Sequence, residues 1–222
     1  MTGKERGFYG DQANTDEPNS DRLKRFYKPQ PVSVTKADYD DWASDYDQNT
    51  VKDIGYCAPE SIASLVEKHI KDKNLPIIDL GCGTGLLGKL LKPRGYNNIH
   101  GWDLSPGMLA EAEKTGAYAS LKEIDLTVRF PFEAESCRAM VSAGVYGPGV
   151  VGPEHVHLLV PPLAKGGVSI HSFNGLSWRK RPFGDAIQVL KDSGEIDILE
   201  QSWGPYITGE NIDGVYMVFC RR

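Results

Sequence analysis

The stretch Ile77-Ile78-Asp79-Leu80-Gly81-Cys82-Gly83-Thr84-Gly85 limits the fold of this chain more than any other. Its apolar start reads as a short buried strand that stops at glycines, and residues 86–92 carry a helical pattern. A strand that enters a helix through glycines is the first turn of an α/β unit, where ligands bind outside the carboxyl ends of the strands. Glycine permits the tight turn and the close approach of backbone to ligand. The alternation continues downstream. Strands are predicted over 99–102, 121–126, 139–143, 168–172, 197–203 and 215–220, with helices over 58–72, 106–115, 153–160 and 182–193. Helices between successive strands argue for a parallel sheet covered on both faces. The last two strands have no helix between them and are predicted to pair antiparallel.

Two cofactor classes compete for such a glycine loop. A dinucleotide would place its pyrophosphate at the N-terminus of the following helix. Asp79, at the strand end, opposes that: a carboxylate ~5 Å from a phosphate costs roughly 3 kcal/mol at an effective dielectric near 20. The same carboxylate favours a cationic ligand, and S-adenosylmethionine carries an ammonium and a sulfonium but no phosphate. The second strand ends at Asp103, 22 residues beyond Gly81, where an acid can accept hydrogen bonds from both ribose hydroxyls. Ser105 before Pro106 is the better cap for the next helix, which leaves Asp103 for the ligand. The third strand ends at Ile124-Asp125-Leu126, where an acidic group and an apolar neighbour suit the adenine amino group and ring. Three acids, each at the carboxyl end of a successive strand, define one pocket for a cationic nucleoside.

Composition narrows the alternatives. The 222 residues carry 25 Lys and Arg against 30 Asp and Glu, a net charge of −5, so wholesale binding to a phosphate backbone is not expected. No run reaches the ~18 apolar residues of a membrane span, and the first residues lack the apolar core of a secretory signal. The four cysteines, Cys57, Cys82, Cys137 and Cys220, form no Cys-x-x-Cys pair, so neither a metal site nor a disulfide framework is expected and a reducing, cytoplasmic setting fits. Residues 1–36 read as a flexible tail, with Phe8, Tyr9, Phe26 and Tyr27 as aromatics able to fold back over a site. Residues 37–222 read as the folded domain. Tyr39, Trp42 and Tyr46 recur at helical spacing on one face, a stripe for core packing or for a lid.

With these motifs in view, the chain from about 37 to 220 resembles the class I S-adenosylmethionine-dependent methyltransferases. IIDLGCGTGLLG, GWDLSPGML and EIDL match the first three motifs of that superfamily; VSAGVYGPGV and LAKGGVSIHSF match the stretches at strands four and five. The softer resemblance is to the methyltransferase-like proteins of the Williams–Beuren syndrome region. Arg138 stands where the superfamily usually has an acid, and Lys165 replaces a common proline. The resemblance implies a Rossmann-like, seven-stranded sheet of order 3-2-1-4-5-7-6 with strand 7 antiparallel. It implies that Gly81, Cys82, Gly83 and Gly85 surround the methionine moiety, Asp103 holds the ribose, Leu104 and Met108 flank adenine, and Asp125 and Leu126 lie at its edge, with Ala143 following strand four. Tyr39, Trp42 and Tyr46 become lid candidates, since aromatic faces attract a sulfonium.

Methyl transfer from a sulfonium needs alignment and exclusion of water more than a catalytic constellation. Residues at the methyl site should follow strands four and five. The candidates are His171 as base, Tyr146 for positioning, and Tyr146, Asn174 and Trp178 for substrate. Arg179-Lys180-Arg181 reads as a solvated run or a recognition site for an acidic substrate. Motifs for amino-methylation of adenine or glutamine, and for cytosine C5 methylation, are missing, which favours a small-molecule acceptor and leaves a protein substrate or partner open. Two rival readings share the fold. One is a non-catalytic S-adenosylmethionine-binding protein that acts through a partner; the other is an aminopropyltransferase, for which the segment around Tyr146 supplies no polyamine-binding acids.

Overall fold

The computed structural model describes residues 7–14, 17–28, 30–128, 130, 133–147, 149 and 151–222, with the side chains of Asp11 and Arg22 left aside; the start of the expected tail, residues 1–6, lies outside them. Among the described residues seven strands form one sheet: β1 (Ile77–Leu80), β2 (Ile99–Asp103), β3 (Ser120–Glu123), β4 (Cys137–Tyr146), β5 (Leu163–Asn174), β6 (Ile196–Ile207) and β7 (Ile212–Arg221). Their order is β3-β2-β1-β4-β5-β7-β6, with β7 antiparallel to both neighbours and the other pairings parallel. This is the expected order.

Alternation along the strands builds a core on each face. Ile77, Val141, Ile170 and Val218 join one cluster; their chain neighbours Ile78, Met140 and Phe219 join the other, as does Phe173, two residues beyond buried His171. The first cluster is covered by α3 (Ala58–His69) and α4 (Leu86–Leu91) through Ile62, Val66, Leu87 and Leu91. The second is covered by α7 (Phe183–Asp192) through Phe183, Ile187 and Leu190. Helix α5 (Pro106–Lys114) starts as predicted: Ser105 caps it by accepting from Met108 N at 3.0 Å.

Several predicted boundaries shift for local reasons. β3 stops at Glu123 rather than 126, because the Asp125 carboxylate takes both the N–H and hydroxyl of Thr127 and turns the chain. β5 begins at Leu163, before the expected glycine turn; Gly166, at φ +72°, sits at a register irregularity within it. Residues 153–159 form a 3₁₀ helix, and a six-residue helix α6 (Gly175–Lys180), which the sequence did not announce, follows β5 because Asn174 caps it.

The N-terminal region is ordered into α1 (Asp21–Phe26) and α2 (Val32–Trp42), followed by a 3₁₀ turn and a π-helical turn through Asp53. The boundary expected between residues 36 and 37 falls inside α2. No helix among the described residues is long and apolar enough to cross a membrane.

Candidate active site

The carboxyl ends of β1, β2 and β4 and the loop after β3 open onto one cavity of about 210 Å³, roofed by α1, α2 and the turns that follow them. Its floor begins at the glycine loop. Gly81, Gly83 and Gly85 all have positive φ, and a Cβ on Gly81 would lie 2.3 Å from Val145 Cγ2, so no larger residue fits that turn. The loop is fastened from the next strand: Asp103 Oδ2 accepts Gly83 N at 2.9 Å and Oδ1 accepts Ser105 N at 2.9 Å. Burial pushes the Asp103 carboxyl up, against the opposing effect of these backbone donors.

The lining brings together most of the expected cofactor residues: Gly81, Gly83, Asp103, Leu104, Met108, Asp125, Leu126 and Ala143, with Tyr39, Trp42 and Tyr46 on the roof. The aromatic stripe of α2 meets Phe26 of α1, which lies 4.9 Å from Trp42 and 4.8 Å from Tyr39 between ring centroids. The stripe thus packs and lines the cavity at once. Asp79, Cys82 and Gly85 lie behind the lining. Asp79 is buried beneath the loop, accepts the Tyr118 hydroxyl at 2.8 Å, and is raised to about 7, chiefly by burial. Asn174 lines the cavity, donates to the Tyr27 hydroxyl at 2.6 Å and uses its carbonyl oxygen to cap α6.

Three expectations are corrected. His171 does not face the cavity: it is fully buried in the sheet, its ring nitrogens 2.8 Å from Ser142 Oγ and 2.5 Å from Ser169 Oγ, and burial lowers it to about 3. It is a satisfied core histidine and not a base. Tyr146 turns into the second cluster among His171, Phe173 and Phe183. Trp178 packs edge-on against Phe173 outside the lining. The basic run is also structural at two positions. Arg179 makes a two-pronged bond to buried Asp213 and stacks over Trp203, while Arg181 donates to Gly147 O at 2.8 Å.

Sequence reasoning missed several residues. Tyr56 and Tyr206 line the cavity wall, and Thr35 and Leu23 line it from α2 and α1. Asp40 of α2 accepts Ser105 Oγ at 2.5 Å and Gly107 N at 2.9 Å, docking the roof onto the start of α5. Glu210 accepts Asn19 N, Asn19 Nδ2 and Ser20 N at 2.7–3.0 Å and so holds the start of α1. Only the Phe26–Tyr27 pair carried a signal, as aromatics in an otherwise polar segment.

Residues 77–156 match a family described as a methyltransferase domain. That domain match, together with the motifs and the strand order, supports a class I S-adenosylmethionine-dependent methyltransferase. It is 39% identical over 85 residues to human methyltransferase-like protein 27, a Williams–Beuren region protein; the match covers 37% of this chain and 34% of that one. It is 38% identical over 66 residues to the 18S rRNA (guanine(1575)-N(7))-methyltransferase of Saccharomyces cerevisiae, covering 30% of this chain and 24% of the yeast protein. These matches span about a third or less of the length of the curated relatives. The fold matches magnesium protoporphyrin IX methyltransferase from Synechocystis, solved with S-adenosylhomocysteine, at a TM-score of 0.63 and 18% identity, covering 86% of this chain and 100% of that one.

The cofactor of this family suits the cavity. Asp103 and Asp125 are the only charged side chains in the lining among the described residues, and no Lys, Arg or His there could neutralise a phosphate. Acids and aromatic faces match a cationic nucleoside, while a pyrophosphate would be buried unpaired.

Proposed function

We propose that this protein transfers a methyl group from S-adenosylmethionine to a small-molecule acceptor. The observation that carries the reading is the cavity itself, whose only lining charges among the described residues are two carboxylates, at the end of β2 and just after β3, and whose roof is aromatic. Bound S-adenosylmethionine supplies an electrophilic methyl group on a sulfonium. The chain supplies the rest. Gly81 and Gly83 let the backbone approach the ligand, Asp103 accepts ribose hydroxyls, and Leu104, Met108, Asp125 and Leu126 enclose the base. Tyr39, Trp42 and Tyr46 exclude water and offer π faces to positive charge. Coverage by α1 and α2 supports a small acceptor; the yeast relative, by its name, acts on a guanine in rRNA, so an RNA acceptor is the contrasting outcome. The division at 37–222, with the preceding segment as a cover, belongs to the same reading, and the four free cysteines support a reducing, cytoplasmic setting.

Thermal unfolding with S-adenosylmethionine, S-adenosylhomocysteine and NAD tests the cofactor. A ligand at 100 times its Kd adds about 2.7 kcal/mol. A shift with NAD and none with the other two overturns the assignment. Methyl-labelled cofactor with a metabolite extract and with total RNA then identifies the acceptor class; tight binding without transfer to either points to a non-catalytic protein.

A further inference from the structure

The cavity has two halves of different chemistry. The β1–β3 side holds the glycine loop and both acids; the β4–β5–β6 side holds Ala143, Gly144, Asn174, Tyr206 and Ile207, with Tyr27 and Tyr56 opposite them. No charged side chain lines this second half among the described residues. The polar side-chain groups of the residues just named are an amide and phenol hydroxyls. Two buried hydroxyls on lining residues lack a well-formed hydrogen bond: Tyr56 Oη, whose neighbour is the Tyr206 hydroxyl, on a side chain 8% exposed, and Thr35 Oγ1, on one 7% exposed. Tyr56 stands edge-on to Tyr206, ring centroids 5.5 Å apart, and both hydroxyls converge on the bare backbone of Gly144. A Cβ there would lie 2.5 Å from Tyr56 Oη and 3.8 Å from Tyr206 Oη. Tyr27 accepts from Asn174, which leaves its own proton to donate.

A buried hydroxyl without a partner is costly unless a ligand or water supplies one. An acceptor bearing a carboxylate or phosphate would enter this half with no cation to meet it. A basic group that must lose a proton would find no proton acceptor, since burial raises Tyr27, Tyr56 and Tyr206 and keeps the phenols protonated.

Building on the methyltransferase reading, we propose that this half takes an uncharged heteroaromatic molecule, methylated on a pyridine-type ring nitrogen, with one polar substituent bonded by the Tyr56 and Tyr206 hydroxyls. Such a nitrogen has its lone pair free at neutral pH. That pair forms the new N–C bond while the pair of the breaking C–S bond returns to sulfur. The positive charge passes from sulfur to the ring, and no proton moves. The aromatic roof holds the charge before and after transfer.

The test uses the full chain, methyl-labelled S-adenosylmethionine and three probes: 5-hydroxyisoquinoline, isoquinoline-5-carboxylate and 1-naphthol. Label should appear on the first as its N-methyl cation, with the other two at least about tenfold slower. Tyr56→Phe should lower kcat/KM for the first probe about 5–10-fold, as loss of one hydrogen bond does, with the Kd of S-adenosylhomocysteine unchanged. Tyr206→Phe, equally conservative, should act in the same direction. Equal or faster transfer to the carboxylate or the naphthol, no transfer to 5-hydroxyisoquinoline, or an unaltered kcat/KM in both variants overturns the proposal. S-adenosylhomocysteine separates the levels: if it stabilises the protein while the panel fails, the acceptor class alone falls; if it does not bind, the methyltransferase reading falls with it.

Discussion

Asp103 illustrates how one side chain serves both the fold and the site. Its two oxygens already accept Gly83 N and Ser105 N, yet it lines the cavity, and each carboxylate oxygen can take a further donor. Its place was legible because it ends a strand 22 residues after Gly81; its grip on the glycine loop was not, because that depends on how β1 and β2 align. Asp103→Asn keeps the shape and removes the charge. Affinity for S-adenosylhomocysteine should fall about 10–100-fold, the scale of one charged hydrogen bond, by titration calorimetry; unchanged affinity removes Asp103 from the ribose site. His171 shows the opposite case. A histidine at the end of a predicted strand could not be told from a base until Ser142 and Ser169 were found on its two nitrogens. Its folded pKa, about 3, lies below the unfolded value near 6.5. The unfolded chain therefore binds the extra proton between these limits, and stability falls as pH drops from 6.5 towards 3, by up to about 1.4 kcal/mol per pH unit. Urea unfolding at pH 7.5 and pH 5 should show that loss in the natural protein and a smaller one in His171→Gln. Equal losses would clear His171 of the role.

Among the elements, those built on long apolar periodicity were readable and those held by distant polar contacts were not. β1, β2, α3, α5 and α7 follow from apolar spacing, caps and glycines. Helix α1 has six residues, too few to be stable alone. It forms where Leu23, Phe26 and Tyr27 reach the cavity and where Glu210, between β6 and β7, accepts three hydrogen bonds at its start. A sequence separation of about 190 residues hides such a contact from any local pattern. The same holds for Asp40 on α5 and for Asp47, which bonds Thr84 in the glycine loop and Lys89 in α4. Glu210→Ala strips the start of α1 of all three bonds. It should destabilise the protein by about 1–3 kcal/mol and speed trypsin cleavage at Lys24 and Arg25. Cleavage at the natural rate would show that the aromatic contacts suffice to hold the helix.

At the scale of the whole molecule, the sheet order sets the division of labour. The acids at the ends of β2 and β3 and the tyrosines of the β4–β5–β6 side come from opposite halves of the sheet, on either side of β1. The sequence could locate the acidic half, since each acid follows its own strand. The neutral half needs β6 beside β7 beside β5, which brings Tyr206 to Gly144 and Tyr56. The roof that closes over both belongs to the N-terminal 50 or so residues, so cavity and roof should gain order together. Hydrogen exchange can separate this coupling from uniform stabilisation. Amides of α2 should exchange by openings that uncover the cavity, and S-adenosylhomocysteine must leave before they open. At 100 times its Kd they should slow by about 100-fold, the factor equivalent to 2.7 kcal/mol. Helix α7 covers the opposite core through Phe183, Ile187 and Leu190 and contributes no residue to the lining, so its local openings should leave the ligand in place. Its faster-exchanging amides should not change. Equal slowing of both helices would mean that they open only with the whole domain, and no slowing in α2 would mean that the roof is not part of the binding site.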